Sequence, residues 1–256
     1  MAKSSKSAKS ERQKLIDDAM KKQRGAEKRR GFAIVGVCIL VAALIVGAAA
    51  WRPVMDWWDL RQYNDLELAD IGAPASACQE IVTHDAEGVS DHVPFGQSVT
   101  YTDAPPAFGP HWNEAGVAPA PFADKFYDDS DRPELESLVH NLEHGYTILW
   151  YDETIAADDD QMTEIQALAK KFKADDDNFR LKFIAAPWTS ADDDKVELAK
   201  DSKSFPEGQH IAFTHWKGDA EKSTGVWQYC SELSGEAVRD FMDEYPYTDS
   251  PEPNAI

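Results

Sequence analysis

The chain carries seven histidines: His84, His92, His111, His140, His144, His210 and His215. His140-Asn141-Leu142-Glu143-His144 follows H-x-x-E-H, the pattern of inverted zinc proteases. Two imidazoles one helical turn apart can reach a single ion. At about 100° per residue, Leu135, Leu138, Val139 and Leu142 form one stripe. His140 and His144 then fall at about 140° and 180° from Leu135, so they are expected to project away from the packed face. Three chemistries fit: a metal-dependent hydrolase with Glu143 as base, a non-catalytic metal site, and a hydrogen-bonded structural cluster. A hydrolase also needs a third ligand and an open coordination position. Gly145 stops the helix at once and works against that geometry, so no catalytic residue is assigned.

A second constellation runs from Tyr101 through Pro105-Pro106-Ala107-Phe108-Gly109-Pro110 to His111. Two prolines and a Gly-Pro stiffen the backbone and can hold His111 in place at low entropic cost. A rigid surface turn is the competing reading.

These groups need a scaffold, and the charge pattern divides the chain before any element is drawn. Residues 1–30 hold 11 Lys/Arg and 4 Asp/Glu, leaving 15 and 42 for the rest of a chain whose net charge is −20. The acidic body excludes nucleic-acid binding, which needs a positive field. At 43% hydrophobic residues, disorder throughout is excluded as well. Residues 31–51 contain no charged side chain. At ~1.5 Å per residue they span about 30 Å, the hydrocarbon thickness of a bilayer. Arg29 and Arg30 precede the span; Trp51, Trp57 and Trp58 follow it, and tryptophan prefers the membrane interface. The positive-inside rule places residues 1–30 in the cytoplasm as a basic tail, disordered or lying on anionic lipid. Residues 52–77 are expected as a juxtamembrane stalk and linker, with Pro53 opening a short interfacial helix. The acidic domain, residues 78–245, then lies outside the plasma membrane. A cleaved signal peptide is the alternative, but its apolar core is normally 7–15 residues.

Within that domain, residues 97–102 alternate as a strand, and residues 103–121 form an extended loop. Asp131 is a candidate N-cap for a helix over 134–144. Strands are expected at 146–151, 180–186, 210–216 and 225–229. Helices are expected at 161–173, 195–200 and 235–245. The tail, 246–256, carries three prolines and is expected to be flexible. The fold class is therefore α+β, one compact domain with a single mixed sheet and flanking helices, preceded by one transmembrane helix. Aspartate triplets at 158–160, 175–177 and 192–194 lack calcium-loop spacing and read as solvated loop ends.

Residues 105–111 (PPAFGPH) and 139–145 (VHNLEHG), with His92-Val93 before them, resemble an actinobacterial family labelled domain of unknown function 3105. The likeness is clearest over residues 90–155. Phe108 departs from the family pattern, where serine is usual. The resemblance implies a single-pass protein with its domain outside the cell and no established activity. It also implies that His92, His111, His140 and His144 approach one another, with Glu143, Tyr101, Pro105, Pro106, Gly109, Pro110 and Gly145 supporting them. Four neutral imidazoles suit zinc or copper.

Cys78 and Cys230 are the two thiols outside the span, and an oxidising compartment makes a disulfide between them the expectation. Cys38 lies inside the span. The location and negative field suggest an accessory subunit docking on a larger membrane assembly, a respiratory oxidase complex being one such partner. Copper or zinc buffering or delivery is the alternative.

Overall fold

The computed structural model describes residues 3–86, 90–173, 178–198, 204–219 and 222–255. The chain forms two compact units, Met1–Trp58 and Asp59–Ile256. The first is one unbroken helix, α1 (Lys3–Leu60), whose last two residues enter the second unit. The basic head is helical rather than irregular, and the helix runs on through residue 53 instead of restarting there. Phe32, Ile34, Ile39, Leu40, Leu44 and Val46 are all exposed. α1 is long and apolar enough to cross a membrane.

The second unit is built on a mixed five-stranded sheet of order β1-β7-β6-β4-β5. Its strands are β1 (Val82–Asp85), β4 (Thr147–Tyr151), β5 (Phe183–Pro187), β6 (Ile211–Gly218) and β7 (Ser223–Cys230). Only β4 and β5 run parallel; the other neighbours are antiparallel. A two-residue parallel ladder joins β2 (His92–Val93) to β3 (His111–Trp112). Helix α2 (Leu135–Glu143) precedes β4, α3 (Glu153–Ala156) and α4 (Asp159–Lys171) follow it, and α5 (Gly235–Glu244) comes after β7.

The sheet is apolar on both faces, which is why β4 reads as an uninterrupted hydrophobic run. Leu149 and Tyr151 pack on one side with Ile165, Leu168, Val238 and Phe241 of α4 and α5. Ile148 and Trp150 point to the other side, where Leu135, Leu138, Val139 and Leu142 of α2 meet them. All nine residues of α2 are buried. His140 and His144 do leave the Leu stripe, but the proline loop covers the helix's other side, so they end 3% and 5% exposed.

Several expectations fail for identifiable reasons. Residues 97–102 make no strand: Val99 N–H bonds the buried Glu136 carboxylate at 2.9 Å, and Tyr101 exchanges backbone bonds with Lys195 and Glu197. Asp131 does not cap α2, because its carboxylate accepts from Asp128 N–H; Glu134 occupies the cap position. Lys195 closes a 3-10 turn, Asp193–Lys195, and Val196 is extended against Tyr101, so no helix begins there. The end of that expected helix and the triplet at 175–177 lie outside the described residues. Asp158 caps α4, but Asp192 is buried against Arg132 (2.8 Å) and the Thr189 N–H and hydroxyl rather than solvated.

The stretch 65–77 is not a linker. Ile71 is fully buried beside Leu233, with Leu60, Tyr63 and Leu68 packed against the same core. Gly235 N–H bonds Ile71 O, and Ala73 N–H bonds Leu233 O. Burying one isoleucine contributes roughly 1.5–3 kcal/mol, and the packing of Leu68 and these backbone bonds add to it. The tail is not loose either. Fully buried His215 faces Asp249 (2.8 Å) and Tyr146 O (3.2 Å), while Lys182 Nζ donates to Pro253 O (3.0 Å) and Ala255 O (2.7 Å). A buried ammonium needs such acceptors, and the tail supplies them.

Cys78 and Cys230 form a disulfide across 152 positions, tying the start of the unit to the end of β7. Closing so long a loop restricts the unfolded chain. Cys230→Ser should lower stability by about 2–5 kcal/mol, read as a shift of the urea midpoint. An unchanged midpoint would show the link is mechanically idle.

Candidate metal centre

The site forms where the proline loop meets the end of α2. The helix closes in a Schellman turn: Tyr146 N–H bonds Asn141 O, and Gly145 N–H bonds Leu142 O. Gly145 has φ +91°, and a Cβ there would sit 2.5 Å from Tyr247 O. Glycine is therefore needed both for the turn and for the close tail. Asn141 exchanges two bonds with the Ala120 backbone, at 2.9 and 3.0 Å, fastening the loop to the helix.

Each supporting residue of the loop has a visible task. Tyr101 donates its hydroxyl to Pro110 O (3.1 Å), and its ring leaves no room for a side chain at Gly109. Trp227 donates to Pro105 O (2.7 Å), and Pro106 is buried in the loop. Phe108 lies between Trp216 and Trp227 and over Gly225, filling space that a serine would leave open. The loop thereby delivers His111, fully buried, with its Nδ1 2.9 Å from Gly109 O.

His92, His111, His140 and Glu143 place one ligand atom each within 4.8 Å of one another. His111 Nε2 is 3.0 Å from Glu143 Oε2, and His92 Nε2 is 3.4 Å from the same oxygen. The rings of His111 and His140 lie 4.9 Å apart, and those of His92 and His140 5.4 Å. A carbonyl only accepts, so His111 Nδ1–H donates to Gly109 O and His140 Nδ1–H donates to Trp112 O at 2.6 Å. In their neutral forms both rings then keep the lone pair on Nε2. Backbone carbonyls that set the tautomer in this way are the usual outer partners of metal-ligating histidines. His92 is half exposed and gives the cluster a side open to solvent.

Three of the four expected histidines thus converge. The fourth position is taken by Glu143, and His144 stands beside it. His144 faces Glu252 Oε2 at 3.6 Å, and its ring centre is 4.5 Å from that of His140. The remaining histidines pair elsewhere: His84 with Asp103, His210 with Asp152 and His215 with Asp249. Sequence reasoning missed Glu252, one of two acids in a proline-rich tail, and Lys182, a charged residue before a strand. Neither position carries a local signal. A cleft of about 680 Å³ lined by Asp152, Trp188 and His210 shares no residue with the cluster.

Burial pushes His140 down to about 3, helped by the charges of His111 and His144. Burial and then the Lys182 ammonium push His144 down to about 4. Burial opposes ionisation of Glu143, but the His111 hydrogen bond and neighbouring imidazoles outweigh it and hold the carboxyl below its usual range. Both His111 nitrogens face oxygens, Gly109 O and Glu143 Oε2.

These shifts set a pH dependence. Unfolded histidine binds its proton near pH 6.5, well above the folded values of about 3 and 4. The unfolded state therefore holds more protons below about pH 6.5, and stability falls as pH drops from there. The Glu143 shift has the same sign and acts at lower pH. Chelator-treated protein should lose melting temperature between pH 7 and 5, and His144→Phe should flatten that slope. A slope identical in the variant would refute the assignment.

No curated protein and no solved structure matches the chain. A family model described as "Protein of unknown function (DUF3105)" matches residues 92–256, from the first histidine of the cluster through the tail that carries Glu252. The chain belongs to the DUF3105 family.

Proposed function

We propose that the chain is a membrane-anchored metal-binding protein whose acidic domain lies outside the cytoplasm and holds a divalent transition-metal ion at His92, His111, His140 and Glu143. One observation carries this reading: four ligand atoms within 4.8 Å, with two of the rings oriented by backbone carbonyls. Tetrahedral bonds of about 2.0–2.2 Å set ligand atoms about 3.4 Å apart, so the side chains must draw together on binding. Imidazole-rich sites with a carboxylate suit Zn²⁺ and Cu²⁺. The role is binding rather than hydrolysis. Glu143, the base of an inverted zinc protease, is engaged by His111 and His92 as part of the ligand set.

The anchor is α1, and the basic residues before its apolar stretch set the direction. Protease added to wall-stripped cells should digest the C-terminal domain without lysis. Survival of that domain until lysis would invert the topology. With one equivalent of Cu²⁺ per chain, the electron paramagnetic resonance spectrum should show couplings to three imidazole nitrogens. His111→Ala should remove one coupling and weaken binding at least tenfold. A spectrum without imidazole nitrogens would overturn the metal reading.

The charge of the body supports a second reading, docking on a membrane assembly with a basic outer surface, such as a respiratory oxidase complex. The 42 acidic residues beyond position 30 supply the attractive field. Capture of a partner from mild detergent, lost at high salt, would establish it. A solitary chain under several detergents would remove it.

A further inference from the structure

A second group of ligand-type side chains adjoins the first and shares a member with it. Glu143, His144 and Glu252 also place one ligand atom each within 4.8 Å of one another. We propose that the centre is dinuclear: Glu143 bridges one divalent ion at His92, His111 and His140 and a second at His144 and Glu252. This rests on the reading that the first group binds a metal.

The state of His144 points to a missing ligand. Its ring is 5% exposed, and its Nδ1 is buried with no hydrogen-bond partner. Its Nε2 stands 3.6 Å from Glu252 Oε2, beyond hydrogen-bonding range. An imidazole left this way bears its full desolvation penalty, and native proteins rarely leave such a group unexplained. A cation between Nε2 and the Glu252 carboxylate would bring these two groups into one coordination shell, with Nδ1 on the other side of the ring.

The tail is fixed where the second ion needs it. Glu252 N–H donates to Glu143 O at 2.9 Å, so the two carboxylate residues are tied through their backbones. Lys182 Nζ donates to His144 O (2.6 Å), Pro253 O and Ala255 O. One ammonium thus clamps the chain at His144 and just beyond Glu252. Its charge is directed to three carbonyls rather than to either carboxylate.

Glu143 has two oxygens, and Oε2 is the one turned to His92 and His111. A carboxylate can give one oxygen to each of two ions, the arrangement of two-metal sites. The positions differ in chemistry. The first offers three imidazoles and one oxygen; the second offers one imidazole and two carboxylates. Glu252 is half exposed, so the second ion has fewer protein ligands and more water, and it binds more weakly.

The test counts Zn²⁺ on the full chain in detergent, stripped with chelator, reloaded with excess Zn²⁺ and desalted before elemental analysis. Wild type should hold two ions, Glu252→Gln one, and Glu143→Gln none at the same free zinc. Glu252→Gln keeps the backbone bond to Glu143 and alters only an exposed carboxylate. The urea midpoint of the metal-free variant verifies its fold. One ion in wild type, lost in His111→Ala, would overturn the bridge and leave the mononuclear reading standing. No ion in wild type would overturn both. Two ions in both wild type and Glu252→Gln would place the second elsewhere and overturn the bridge.

Discussion

The carboxylate of Glu143, 4% exposed at the end of a helix buried on every side, is the constraint around which the domain is arranged. A buried carboxylate needs hydrogen-bonding or ionic neighbours. Here they come from three elements of the chain. His111 arrives on a stiff loop, His92 on the short strand paired beside it, and His140 from one turn back on the same helix. The Schellman turn frees Gly145 to let the tail approach, and the tail returns a bond to Glu143 O. Packing, turn geometry and electrostatics converge on one group.

The same site follows a rule common to sheets covered on both faces. The sheet supplies rigidity through Trp150, Phe183 and Phe213, all fully buried. The chemistry sits beside it, where loop and helix end meet. The acidic surface complements this arrangement, because a negative field raises the local concentration of cations.

The histidine grouping was legible as far as motif residues reach. The Pro-Pro and Gly-Pro framing of His111 and the one-turn spacing of His140 and His144 are local signals. Local spacing could not choose between His144 and Glu143 as the fourth neighbour. That choice was made by tertiary contacts at the helix end, where Asn141 fastens the loop and Gly145 admits the tail. The helix wheel separated the two histidines from the leucine stripe but could not know that a proline loop covers them. Strand 97–102 was misread because its alternation reflects packing of Val99 and Tyr101 on α2's side, while its backbone bonds go to Glu136, Lys195 and Glu197.

Period and composition alone determined the apolar span, the charge division about it, the α+β class, the buried strand β4 and the amphipathic α4. Each depends on neighbours within a few residues or on bulk transfer energies. The tertiary structure decided the strand order, the capture of residues 65–77 and 246–255 by the core, and the meeting of Glu252 with His144. Most of these contacts join residues tens of positions apart or more. Their energies come from cavities and unpaired polar groups that exist only once the rest of the chain has folded around them.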